Sequence, residues 1–154
     1  LGISFGQNFL NTFSLVAFLL LCAGIALAGW RSPLTPRVAE LVFLIIAAFL
    51  LVNKVWSPQY SLWLVVPAAL AVPRWRLVLG WALADALVWP LLMWHMLGID
   101  NKGIPHELLD MAILVRDGFI IAMAVIVLRQ MWNRTEDKVR AAHMGRDPVA
   151  GVFQ

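Results

Sequence analysis

The chain has 154 residues, of which 62% are hydrophobic and 14% charged, and its mean hydropathy is +0.81. A soluble domain carries about 25% charged residues, so too few polar side chains remain here to coat a soluble globule. An ordinary cytosolic enzyme and a disordered chain are excluded. The net charge of +3 does not signal a nucleic-acid partner, because the basic residues sit between apolar runs and at the C-terminal end rather than on one face. The composition is that of a polytopic membrane protein.

Leu1 is not an initiator Met, and no signal peptide with a basic n-region follows it. We read the chain as a C-terminal piece of a longer membrane protein. Residues 1–132 form a membrane-embedded helical bundle, and 133–154 form a basic tail. The predicted fold is all-α, with about five spans.

The first apolar segment is Phe9–Trp30. Cys22 lies inside it and has no second cysteine to pair with. Gly24 and Ala28 are spaced for close helix contact. A turn rich in Pro and Arg, Arg31 to Arg37, leads into Val38–Val55. The third segment, Pro58–Val72, is short, and Pro67 interrupts it. The basic turn Pro73-Arg74-Trp75-Arg76 precedes the fourth, Leu77–Leu97, where Pro90 removes a backbone bond to Ala86 and predicts a kink. A polar loop, Gly98 to Pro105, leads to the fifth, Leu108–Trp132. Four of the five meet the roughly 20 apolar residues that a spanning helix needs. The tail has helix-forming residues as far as Met144.

Basic residues set the predicted topology. Arg31, Arg37, Arg74, Arg76, Arg129, Arg134, Lys138, Arg140 and Arg146 fall on one side when five spans alternate. Lys54 and Lys102 fall on the other. The N-terminus is then outside and the C-terminus cytoplasmic, in a multi-pass protein of the cell membrane. Re-entry of the third segment would erase this bias, so we take it as a short span. The tail cations would lie among anionic lipid headgroups.

The outer turn Asn53–Tyr60 is the most informative stretch. Ser57 is a good N-cap and Pro58 suits the first helical position. The helix would then offer free backbone N–H groups near Lys54, an arrangement that favours anions. Gln59 and Tyr60 add donors for a phosphate or sugar hydroxyl. Trp56 and Trp63 offer faces for a sugar ring or acyl chain. Lys, Trp and Tyr are also ordinary interfacial anchors, and that reading stays open.

Asn53-Lys54-x-x-Ser57-Pro58-Gln59-Tyr60-x-x-Trp63 resembles a stretch in bacterial GT-C glycosyltransferases, especially actinobacterial members related to glycosyltransferase family 87. These are similar to polyprenyl-phosphate-mannose-dependent mannosyltransferases. The resemblance covers about eleven residues and opens a late transmembrane helix. It implies transfer of a sugar, mannose or arabinofuranose, from a polyprenyl-phosphate donor to an outer glycan or glycolipid. It also implies a catalytic Asp in a first external loop, so no catalytic residue is assigned within this chain. Lys54, Ser57, Gln59 and Tyr60 would hold the donor phosphate.

Three charges fall within spans. A charge at the bilayer centre costs about 2.5–3.5 kcal/mol on insertion scales and usually pairs. Counting from the cytoplasmic ends, Asp85 and Arg116 differ in depth by about 6 Å. We expect an Asp85–Arg116 contact, with Asp117 paired locally or facing a wet cavity. The set would fix helix packing, relay protons or ions in a transporter or flippase, or give Arg116 a donor phosphate to bind. At the outer start of the fifth segment, His106 and Asp110 share a helix face at a spacing that a metal can use, with His95 as a further candidate. Acidic residues in a first turn also simply favour the helix dipole. No metal or other cofactor is required, although some GT-C enzymes use a divalent cation. A non-catalytic membrane subunit remains a third reading.

Overall fold

A computed structural model describes residues 6–53, 58–98, 103–145 and 147. Six helices follow in chain order: α1 Gln7–Arg31, α2 Val38–Val52, α3 Pro58–Ala71, α4 Trp75–Met96, α5 His106–Met131 and α6 Lys138–Ala142. Among the described residues there are no strands. Three helices, α1, α4 and α5, are long and apolar enough to cross a membrane.

Local chemistry sets the helix ends. Glu40 accepts the Arg37 backbone N–H at 2.7 Å and so caps the start of α2. Pro58 opens α3, and Pro73 follows its last turn, where it cannot continue the helix. Gly98 ends α4 with φ +75°, a left-handed conformation that suits glycine. Asn133 adopts φ 53° just after α5, so the tail begins with a break rather than a continuous helix. The expected helical tail thus reduces to the five residues of α6, with Asp137 as its cap.

α2 is the central helix. It packs against α1, α3 and α5, while α4 packs against α3 and α5. Its buried positions Phe43, Leu44, Ala47 and Leu50 recur at helical spacing. They meet Leu64 and Ala68 of α3, Trp81 of α4, and Ile120, Met123 and Val127 of α5. Elsewhere the surface is strongly apolar: Leu19, Leu20, Leu83, Leu87, Trp89 and Leu114 are all exposed. A helix that is apolar all round without being buried in protein is suited to lipid.

Gly80 marks a close helix approach, and Gly24 does not. A Cβ on Gly24 would meet nothing within 4 Å. One on Gly80 would lie 2.9 Å from the Phe119 ring, whereas one on Gly29 would make only ordinary contact, 3.5 Å from Pro36 and 3.7 Å from Leu41.

The helices differ in length, and this shapes the molecule. α2 has 15 residues and α3 has 14, or about 22 and 21 Å at the usual rise. α1, α4 and α5 have 25, 22 and 26 residues, or about 37, 33 and 39 Å. The second segment is thus shorter than the expected Val38–Val55, and Val55 lies outside the described residues. One end of all five helices is shared: Ser32 donates to the Met131 carbonyl at 2.6 Å, and Arg37 donates to the Leu70 carbonyl at 3.1 Å. The three basic segments, Arg31–Arg37, Arg74–Arg76 and Arg129–Arg140, therefore gather at one end of the bundle. At the other end α2 stops at Val52, and Asn53 shares a small cavity with Ser14, so α1 projects beyond the end of α2 by the two turns Gln7–Phe13.

Candidate functional site

Of the residues singled out for ligand binding, Gln59, Tyr60 and Trp63 lie on α3. α3 starts at Pro58 as expected. Gln59 is exposed and Tyr60 half-buried. Lys54, Trp56 and Ser57 lie outside the described residues. Tyr60 rests in an aromatic cluster: its ring centroid is 5.8 Å from that of Phe49 and 5.1 Å from that of Trp63. Phe49 also stacks on Trp63 at 6.3 Å and takes Phe18 edge-on at 6.0 Å. Edge-to-face and offset contacts of this kind are favoured by ring quadrupoles. The cluster joins α1, α2 and α3 and backs the first turn of α3. Trp63 keeps an exposed face.

One turn deeper, Ser61 donates to Asp85 at 2.7 Å. Ser61 is three residues beyond Pro58, about 4.5 Å along the helix. The short third helix thus places a serine hydroxyl beside the mid-point of α4. Asp85 stands 11 residues from the last residue of α4, and Arg116 stands 10 from the first residue of α5. Those helix ends lie about 15 Å beyond the polar set.

Of the expected set, Asp117 pairs locally, with Arg116 itself. Arg116 donates from Nε and Nη2 to one oxygen of its neighbour Asp117, at 2.9 and 2.7 Å. Arg116 is buried, while Asp117 keeps partial access to the surface. Asp85 takes its hydrogen bond from Ser61 and feels both Arg116 and Asp117 through space. Adjacency in sequence gives Arg116 a carboxylate within bonding distance. Ser61 was not among the expected residues. Its signal was a small hydroxyl one turn after the helix start, where the apolar run begins.

The acidic and histidine groups near the start of α5 do not converge. His106 lies 3.5 Å from Glu107, and both side chains are largely exposed. The His95 ring engages the Ile104 carbonyl at 3.1 Å. Asp110 is exposed. Among the described residues, no group of three or more His, Cys, Asp or Glu is placed to hold a metal.

At the basic end the arrangement is different. Arg37 and Glu40 are 2% and 0% exposed. Arg37 grips Asp137 with two bonds, Nε to Oδ2 at 2.8 Å and Nη2 to Oδ1 at 3.1 Å. The same guanidinium caps the Leu70 and Ala71 carbonyls at the end of α3. Arg140 joins Asp137 at 3.1 Å, approaches Glu40 at 3.7 Å and donates to the Thr35 carbonyl. Arg37, expected as a topology marker, and Arg140, expected also among lipid headgroups, thus both bond within the protein. Two matched pairs, Arg37/Glu40 and Asp137/Arg140, each at i, i+3, were the available signal.

No protein-family model, no curated protein and no solved structure matches this chain.

Proposed function

We propose that the chain is the back portion of a GT-C-type membrane glycosyltransferase. It would cross the cell membrane five times, with the basic end cytoplasmic and the α2–α3 turn facing outward. Its reaction would move mannose or arabinofuranose from a polyprenyl phosphate to an outer glycan or glycolipid. The observation that supports this reading is the first turn of α3. It opens at Pro58 with Gln59 exposed and an aromatic cluster of Phe49, Tyr60 and Trp63 behind it. A lipid phosphate drawn against that turn leaves bulk water, where fixed N–H donors act more strongly on it.

In this scheme the first turn of α3 with Lys54, Ser57, Gln59 and Tyr60 holds the phosphate, which leaves as the acceptor hydroxyl displaces it at the anomeric carbon. Trp56 and Trp63 flank the sugar or the lipid. The base is assigned to an Asp of the first external loop of such enzymes, outside these 154 residues. Arg116 drops from the phosphate set, because its guanidinium is engaged by Asp117. The test is sugar transfer by the full-length protein. Lys54→Ala and Gln59→Ala should each cut transfer while leaving expression intact. Unchanged transfer in both removes the donor-site reading.

A second reading rests on charge counting. Asp85, Arg116 and Asp117 sum formally to −1 inside long apolar helices. An excess carboxylate at that depth is costly unless it serves a proton or cation path. If the protein is instead a transporter, Asp85→Asn should abolish ion-dependent uptake by the full-length protein.

A further inference from the structure

The buried network at the basic end is built to come apart without leaving a stray charge. It has two cations, Arg37 and Arg140, and two anions, Glu40 and Asp137. Arg37 and Glu40 belong to the bundle. Asp137 and Arg140 belong to the tail. Each half is therefore neutral by itself. Breaking a buried pair is ordinarily expensive because one charge remains uncompensated. Parting these halves leaves no such remainder.

Each half also has its internal partner in place. In the tail, Arg140 Nε already bonds Asp137 at 3.1 Å. In the bundle, Arg37 Nη2 stands 3.8 Å from Glu40 Oε1, close but not bonded. That oxygen is buried and accepts no hydrogen bond among the described residues. A buried acceptor left unbonded is an uncommon condition that calls for an explanation. A shift of about 1 Å in the guanidinium brings Nη2 within bonding distance of it.

We infer that α6 is a releasable strap, with Arg37 switching from Asp137 to Glu40 Oε1 when the tail leaves. Arg37 also holds the Leu70 and Ala71 carbonyls. The end of α3 therefore senses whether the strap is on. The two states differ by which carboxylate Arg37 holds, and a two-state element of this kind is what a switch requires.

The test is hydrogen exchange of the full chain in detergent micelles, comparing residues 133–145 with the α5 core at Ile120–Val127. Asp137→Asn keeps a good helix cap but loses the charge that holds Arg37. It should speed exchange of the tail about tenfold or more while α5 stays protected. Glu40→Gln should do the opposite. Without that carboxylate, release strands Arg37 as a buried unpaired cation, so the tail should exchange more slowly than in the unmodified chain. A purely structural network predicts faster tail exchange in both variants, and that result overturns the switch. Loss of α5 protection together with the tail in Asp137→Asn also overturns it, since the strap would then be inseparable from the fold.

Discussion

The two ends of the bundle treat their polar groups in opposite ways. At the basic end, Arg37, Glu40 and Asp137 are buried and Arg140 half-buried, and they spend their bonding capacity on one another and on helix-end carbonyls. At the other end, Gln59, His106 and Asp110 are exposed, and the helices stop at different levels. Charge used up internally holds a structure together. Polar groups left exposed are available to something else. The difference separates stability from function along a single axis, and substitutions at the two ends should separate in the same way.

The largest effect is expected at the basic end. Arg37→Ala leaves Glu40 and Asp137 facing each other with only Arg140 between them. Removing one partner of such a buried pair costs about 3–5 kcal/mol. Thermal unfolding in detergent should show it as a large fall in midpoint, whereas Gln59→Ala should stay within about 0.5 kcal/mol of the parent. Equal losses at the two ends would break the comparison.

Between the ends, Gly80→Val tests the α4–α5 contact. Its Cβ would lie 2.9 Å from the Phe119 ring, and overpacking of this kind costs about 1–3 kcal/mol. The companion change Gly24→Val should cost far less, since nothing lies within 4 Å of the added carbon. Midpoints of the two variants in one detergent decide it. Ser61→Ala is smaller again. It removes the bond to Asp85, and hydrogen bonds between membrane helices average about 0.6 kcal/mol with a maximum near 1.7.

How much of this was readable in the sequence follows from the range of the forces. Helix positions were legible because apolar runs bounded by Pro, Gly and Arg are local signals. Pro58 opens α3 where Ser57-Pro58 predicts it. Partner choice was less legible. Asp85 feels Arg116 through space, yet Arg116 bonds Asp117, because rotation about a helix axis is not encoded in depth. The Arg37–Asp137 pair spans 100 positions, and no local pattern joins its members. The close glycine was misread for a similar reason. Gly24 meets nothing within 4 Å, and only the packing of α4 on α5 brings Gly80 against Phe119.

The smallest structural effect should accompany one of the larger functional ones, at Tyr60. Its ring is held by Phe49 and Trp63, and those contacts survive in Tyr60→Phe. Stability should therefore change by less than about 0.5 kcal/mol. The hydroxyl is what the headgroup reading uses. If it donates to a donor phosphate, Tyr60→Phe should weaken transfer by the full-length protein several-fold, as loss of one hydrogen bond worth about 1 kcal/mol predicts. Tyr60→Ala separates the two roles, because it also removes the ring that links α2 and α3. Its midpoint should fall with its activity. A Tyr60→Phe protein with full transfer leaves the tyrosine as a packing residue, and the phosphate site then contracts to Lys54, Ser57, Gln59 and the backbone of the first turn.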